Sequence, residues 1–235
     1  MLNYKKAIFS DIDGTLSKGF TTEDFVNFMH KKGVLKEEFF LELKKIMGEY
    51  YSGGINYLEM ERARGYIFPQ FIKGFEYSEM QELLKEFFLE WEKNIYQSTK
   101  ELVRIAHEKE YLFILITAGW EELGIYFAKI IGADIAIGTE FMKIDDFYTT
   151  KPVRVLYELN GKKDELRKII KENGIDEKST IGLGDSIQDI EILENVKYQV
   201  ALNPTKELRE EALSRNWEIA DSTNIVKVLR VLIEK

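Results

Sequence analysis

Two acids, Asp11 and Asp13, follow the apolar run Ala7-Ile8-Phe9 in the stretch AIFSDIDGTL. Like charges at the end of a buried strand lose hydration and repel each other, so the pair needs something to compensate it. Three arrangements would use such a pair. A calcium loop of the EF-hand type would need a glycine two positions later than Gly14 and a glutamate where Thr22 stands. Acids that merely finish a strand are the second. The third is a nucleophile with a neighbouring acid on a divalent cation, Gly14 letting the chain turn sharply behind them.

A second acidic strand end separates these readings. Residues 179–189, STIGLGDSIQD, give a strand, a glycine turn, and then Asp185 and Asp189. Gly182 and Gly184 could begin a dinucleotide fingerprint, but Ile187 occupies the third glycine position, and Asp185 would repel a pyrophosphate. The GDS tripeptide looks like a serine-esterase nucleophile block centred on Ser186. Such an enzyme needs a histidine base, and His30 and His107 both lie upstream in helical charge patterns expected to be solvated. Three carboxylates in one crevice are tolerable once a divalent cation neutralises them, and hard oxygen ligands with room for water suit Mg²⁺.

Two cationic or donor features complete a phosphate site. The strand LFILITAG reaches Thr117, whose hydroxyl, with the amides of Ala118 and Gly119, can donate to a phosphoryl oxygen. Lys162, in NGKKDELRKII, follows Gly161 and opens a helix, where it offers a fixed positive charge. Lys163 is its neighbour; the spacing to Leu166 favours Lys162.

The elements that must position these groups follow from the hydrophobic pattern. Short β-rich runs recur at 6–12, 111–118, 179–184 and 198–202, and helical patterns at 121–132, 162–173 and 187–195 separate the last three. This alternation predicts an α/β fold, a parallel sheet with helices on both faces, whose ligand site lies at the carboxyl ends of the strands. Segment 134–150 reads as a strand followed by an irregular extension or a hairpin. The stretch 19–95 is helical throughout, with capping-box spacings at Thr21/Asp24 and Ser78/Gln81, and Ser98/Glu101 marks the helix that returns to the core. It carries most of the aromatics, more than a simple crossover needs. The expected organisation is a core formed by 1–18 and 96–235 with a helical cap, 19–95, inserted after the first strand. Packing accounts for most cap aromatics, and a few are expected to line a substrate cavity.

Composition bounds the partners. The chain has 235 residues, 45% of them hydrophobic, which is enough for a sizeable core. Its net charge of −8, with both signs interspersed, argues against nucleic acid or an anionic membrane and suggests a soluble cytoplasmic surface. Cysteine is absent, which removes disulfides, thiol catalysis and thiolate metal sites. No apolar run is long enough to span a bilayer, and Asp11 interrupts the short run after Lys5 and Lys6 in a way no secretory signal would.

In order, DIDGT at 11–15, the ILIT strand ending at Thr117, Lys162 after Gly161, and GDSIQD at 184–189 resemble the haloacid dehalogenase superfamily of phosphohydrolases. The branch most similar is the phosphoserine-phosphatase-like one, which VALNPTKELREEALSRNW at 200–217 also resembles. The resemblance implies a Rossmann-like core with a helical cap, and a mechanism. Asp11 attacks phosphorus to form an aspartyl-phosphate, and Asp13 acts as general acid and then base. Mg²⁺ sits on Asp11, the main-chain carbonyl of Asp13, and Asp185. Asp189 orients this site, and Thr117 and Lys162 bind the transferring group. With Asp13 present, hydrolysis is expected over stable phosphoryl storage or reaction at carbon. In INYLEMERARG, at 55–65, Arg64 falls at a carboxylate-binding position and Tyr57 at an apolar-contact position. The family's ammonium-facing glutamate is matched by Phe20, with Glu23 the nearest acid. A small phosphomonoester is therefore the expected substrate, phosphoserine being one candidate. A phosphotransferase and a non-catalytic phospho-ligand binder are the alternatives.

Overall fold

The computed structural model describes residues 5–235. Seven strands form one sheet in the order β4-β3-β2-β1-β5-β6-β7. They are β1 (Lys6–Ser10), β2 (Tyr111–Trp120), β3 (Ile135–Ile144), β4 (Phe147–Arg154), β5 (Thr180–Gly184), β6 (Tyr198–Leu202) and β7 (Glu218–Ala220). All neighbours run parallel except β3 and β4, which are antiparallel. Strand β1 lies between β2 and β5, with Ser10 opposite both Leu115 and Leu183. The chain winds to one side of β1 through β4 and then to the other through β7, so β1 borders the switch point where an open α/β sheet binds its ligand.

Helices cover both faces, which is why the central strands are apolar without interruption. On one face Ile8, Phe113, Leu115, Ile181 and Leu183 pack in a cluster with residues of α5 (Gln97–Glu108), α6 (Glu121–Ile131) and α10 (Ile225–Ile233). On the other, Ala7, Phe9, Leu112, Ile114 and Ile116 meet Leu166, Ile169 and Ile170 of α7 (Gly161–Asn173) and Ile192 of α8 (Ile190–Leu193). Helix α9 (Lys206–Ser214) packs beside β6 and β7 through Leu208 and Ala212. Among the described residues no helix is long and apolar enough to cross a membrane.

Between β1 and α5 come α1 (Thr21–Lys31), α2 (Glu37–Tyr51), α3 (Tyr57–Ile72) and α4 (Tyr77–Trp91). The chain enters and leaves this layer along two adjacent segments, tied by hydrogen bonds from Lys18 N to Asn94 O and from Tyr96 N to Leu16 O. Phe25, Phe68, Phe87 and Trp91 of the layer belong to the same buried cluster as Phe113, Trp120 and Phe127 below it. Edge-on contacts such as Phe25–Phe87 at 5.3 Å make aromatic packing the main use of these rings.

Several local expectations change. Thr21, Ser78 and Ser98 do not cap: the preceding residues Phe20, Glu76 and Tyr96 occupy the N-cap positions, placing all three hydroxyls inside the first turn. Tertiary pairing fixes these starts, since Tyr77 N donates to Asp146 O and Tyr96 N to Leu16 O. The capping boxes are Asn56/Glu59 and Ser186/Asp189. The helix expected at 187–195 is a 3-10 turn over Ile187–Asp189 and the single turn of α8, because Asp189 reaches back to the amides of Asp185 and Ser186. Segment 134–150 is a hairpin, with both turn residues, Asp145 and Asp146, at positive φ, as a tight two-residue turn needs. Its second strand pairs with the α3–α4 connection through Gly74 N to Tyr148 O at 2.9 Å and Tyr148 N to Phe75 O at 3.0 Å.

Candidate active site

The carboxyl ends of β1 and β5 bring Asp11, Asp185 and Asp189 together; one carboxylate oxygen from each lies within 4.8 Å of the others. Lys162, on the first turn of α7 and 2% exposed, donates to Asp11 Oδ1 and to Asp189 Oδ1, each at 2.7 Å. Lys163 turns away and bonds Asn160 Oδ1 at 3.2 Å. The first turn of α7 is itself held by Glu191 of α8, which accepts from the amides of Asn160 (2.7 Å), Lys162 (3.1 Å) and Lys163 (3.4 Å).

Asp189 is fully buried and spends both oxygens. One takes Lys162, and the other accepts from the amides of Asp185 (3.0 Å) and Ser186 (2.9 Å) and from the Ser186 hydroxyl (3.0 Å). Asp185 accepts at Oδ1 from the Thr15 hydroxyl at 2.7 Å. Asp11 and Asp185 each keep one carboxylate oxygen without a hydrogen bond from the described residues. Gly14, at φ +82°, passes so close that a Cβ there would lie 2.2 Å from Asp185 Oδ2.

One ammonium faces three buried carboxylates, and the electrostatics show the deficit. Burial, only partly offset by Lys162 and reinforced by Asp189, holds the Asp11 carboxyl well above its ordinary range. Burial, then Asp189 and Asp11, does the same to Asp185. Burial would lower Lys162, but Asp11 and Asp189 outweigh it and hold the ammonium above its usual value. Two unspent carboxylate oxygens beside uncompensated negative charge form a donor set that fits a hard divalent cation such as Mg²⁺.

Asp13 stands at the rim. Its Oδ1 accepts from the Thr21 amide at 3.0 Å and from the Thr21 hydroxyl, the bond that takes Thr21 out of a capping role. Burial raises its carboxyl to about 6 against the Thr21 bonds. Across a narrow gap Asp13 shares a lining with Thr22, Thr117 and Gly119. There β2 bulges: its pairing with β3 steps from Ile116↔Ile137 to Trp120↔Thr139, so Thr117, Ala118 and Gly119 oppose Gly138 alone. A bulge of this kind frees main-chain groups from the ladder. Thr117 Oγ1 accepts from Gly119 N at 3.1 Å, leaving its proton for a ligand.

The layer above supplies the remaining groups. Arg64 of α3 is 5% exposed, bonds Glu61 Oε1 at 2.6 Å, and lies with its guanidinium carbon 4.9 Å from the Phe20 ring centroid. It lines a narrow crevice with Glu61, Phe68, Ala118, Gly119 and Trp120. Glu23, the acid nearest Phe20 in sequence, is engaged by Lys44 and the Tyr51 hydroxyl. Tyr57, half-buried, lines an open groove with Ser186 and Ile187; burial pushes its hydroxyl well above the usual value, with Glu61 and Asp185 adding. Sequence reasoning took Thr21 only for a helix cap and did not single out Glu61, Glu191 or Asn203, whose Nδ2 donates to Thr15 O at 3.2 Å. Glu191, two residues beyond Asp189, was the most accessible of these to a reading of spacing.

The family model of the haloacid dehalogenase-like hydrolases matches residues 8–194. The phosphoserine phosphatase SerB1 of Mycobacterium tuberculosis is 28% identical over 233 residues, 96% of this chain and 73% of the relative. A Bordetella pertussis protein of unknown function superposes with a TM-score of 0.80 at 21% identity, covering 93% of this chain and 99% of that one. A phosphoserine phosphatase solved as a phospho-aspartyl intermediate analogue gives 0.65 at 21% identity, covering 93% and 94%.

Proposed function

The chain belongs to the haloacid dehalogenase-like hydrolases, and on that footing we propose that it is a Mg²⁺-dependent phosphatase of small phosphomonoesters working through an aspartyl-phosphate on Asp11. The observation that carries this reading is Lys162 bridging Asp11 and Asp189 at 2.7 Å each, with Asp185 alongside at the switch point of the sheet.

Lys162 holds the Asp11 carboxylate in place, and one of its oxygens attacks phosphorus in line with the ester oxygen. As the P–O ester bond breaks, the proton of Asp13 passes to the departing alkoxide. The Asp13 carboxylate then takes a proton from the water that attacks the phosphoaspartate, releasing phosphate and restoring Asp11. A carboxyl at about 6 exists in both forms near neutrality, which suits an acid that must become a base. Thr117, the amides of Ala118 and Gly119, and Lys162 hold the transferring oxygens. Asp11, the carbonyl of Asp13, and Asp185 would hold Mg²⁺, which neutralises phosphate charge when bound. Asp189 positions Lys162 and the Asp185 main chain. In this reading residues 19–95 act as a cap on a core of 1–18 and 96–235, and Arg64 and Tyr57 contact the substrate. Phosphoserine, the substrate named for the relatives, is the first candidate to assay.

Asp11→Asn is expected to abolish phosphate release from an aryl phosphate in Mg²⁺ while the circular dichroism spectrum stays that of the wild type. Retained turnover would reject Asp11 as the nucleophile.

A further inference from the structure

A groove of about 520 Å³ opens on the helical layer, where α1, α2 and α4 meet the segment that returns the chain to the core. That volume falls in the range of small-molecule sites, roughly 300–1,000 Å³. The groove shares no lining residue with the crevices around Asp13, Thr117 and Arg64 or with the groove beside Ser186. Phosphate-ester hydrolysis at Asp11 gives it no task.

Its walls are aromatic. Phe87 and Trp91 of α4 are buried there, and Phe28 of α1 and Phe40 of α2 are half-buried beside them. Its rim is basic. Lys44 pairs with Glu23 at 3.5 Å, whereas Lys31 and Lys93 have neither an ion pair nor a hydrogen bond among the described residues. His30 is engaged by Glu37 at 2.6 Å and lies flat on Phe40, ring centroids 3.7 Å apart. Two acids share the lining, Glu90 at the surface and Asp24 half-buried. Asp24 Oδ2 accepts from Trp91 Nε1 at 2.8 Å, and its Oδ1 has no partner among the described residues. The side-chain amides of Asn27 and Asn94, also in the lining, are equally unspent there.

These groups ask for different parts of one ligand. Aromatic walls take a planar ring, and bases stack on such side chains whatever their sequence. Two unpaired ammoniums take a compact anion such as a phosphate. The free oxygen of Asp24 and the two amides suit a ring edge that carries an amine next to an acceptor nitrogen. We propose that this groove is a second ligand site, which binds a nucleoside phosphate whose base has an exocyclic amine. The ligand would bridge three helices and the returning segment, where Lys18 N already donates to Asn94 O at 2.9 Å. It would also hold α1 one turn beyond Thr21, whose amide bonds Asp13 at 3.0 Å. Neither the site nor its test depends on turnover.

The test is calorimetry on the whole chain with adenosine 5′-monophosphate, adenosine and ribose 5-phosphate, in chelator so that no ester is cleaved. Adenosine 5′-monophosphate is expected to bind at least roughly 10-fold more tightly than either part, since both the ring and the anion are recognised. Lys31→Glu with Lys93→Glu should weaken that binding by roughly 10- to 100-fold. Both lysines are exposed, so the exchange leaves the fold intact. Thr117→Val should leave it unchanged; if the nucleotide also enters the catalytic centre, this variant removes that event and keeps the one in the groove. With the unmodified chain, raising the salt concentration should weaken binding, as charge pairing requires. Absence of binding, equal affinity for one of the parts, indifference to salt, or loss in Thr117→Val but not in the lysine variant overturns the proposal.

Discussion

Replacing Gly184 by alanine should disable the site by a displacement that can be worked out from the coordinates. Gly184 ends β5, and a Cβ there would stand 2.3 Å from Asp189 Cβ and 2.8 Å from its Cγ. Ordinary contact begins near 3.4 Å, so the two chain segments must separate by about 1 Å. Asp189 Cβ is fixed to the main chain and cannot rotate aside. The movement is passed to the carboxylate that holds Lys162 at 2.7 Å and the Asp185 amide at 3.0 Å. Misplacement by about 1 Å costs on the order of 100-fold in rate, and overpacking costs about 1–3 kcal/mol. At roughly 2–4 °C per kcal/mol for a domain of this size, Tm should fall by about 2–12 °C. Gly182→Ala is the matched control. Its Cβ would meet Val196 Cγ2 at 2.8 Å and Ile192 Cγ2 at 3.3 Å, the tips of side chains in the core rather than the site. Comparable loss of Tm with kcat/KM close to wild type is expected for Gly182→Ala, against collapse of kcat/KM for Gly184→Ala. Wild-type turnover in Gly184→Ala, or equal loss of turnover in both, would refute the argument that strand β5 sets the position of Asp189.

Asp13→Asn should slow hydrolysis of an alkyl phosphate by about 10²–10⁴-fold. An aryl phosphate, whose leaving oxygen needs less protonation, should lose less; equal losses would remove Asp13 from the proton transfer. Chelation should stop turnover and added Mg²⁺ restore it. At about 100 times its Kd the ion should also stabilise the fold by about 2.7 kcal/mol, a rise in Tm of roughly 5–11 °C that Asp185→Asn lacks. A Tm indifferent to Mg²⁺ would leave the carboxylate cluster without its expected ligand. Glu191→Ala should cost about 1 kcal/mol, as loss of a helix cap does, and raise KM as Lys162 loses its anchored turn. Unchanged KM with the expected loss in urea-denaturation stability would limit Glu191 to a structural part.

The core half of the site was legible because its position follows from strand ends. Ala7-Ile8-Phe9 and Thr180–Gly184 are buried on both faces, and an apolar run of that kind fixes where the chain emerges at the sheet edge. Asp11 and Asp185 are the first residues beyond each strand, so locating the strands located the acids. Lys162 could be told from Lys163 by its spacing to Leu166, which faces the sheet from α7 and carries Lys162 inward with it. The helix starts were misplaced by one or two residues because hydrogen bonds from distant segments, such as Tyr77 N to Asp146 O, set them. No local pattern records such a partner.

The same physics explains why the helical layer was read less well, with Arg64 and Tyr57 reached only through a resemblance and Glu61 missed. A charged residue on a helix is buried or solvated according to how the whole helix is rotated, and periodicity alone does not fix that rotation for α3. The rotation here depends on Gly65, where a Cβ would lie 2.4 Å from the Tyr157 ring. A side chain at 65 would force the Tyr157 ring or α3 to shift, and residue 157 comes long after α3 in sequence. This approach seats Glu61 and Arg64 over the bulge of β2 instead of in solvent. The placement of the ion pair is thus a property of the α3–Tyr157 contact, and a larger residue at 65 should expose both charges together.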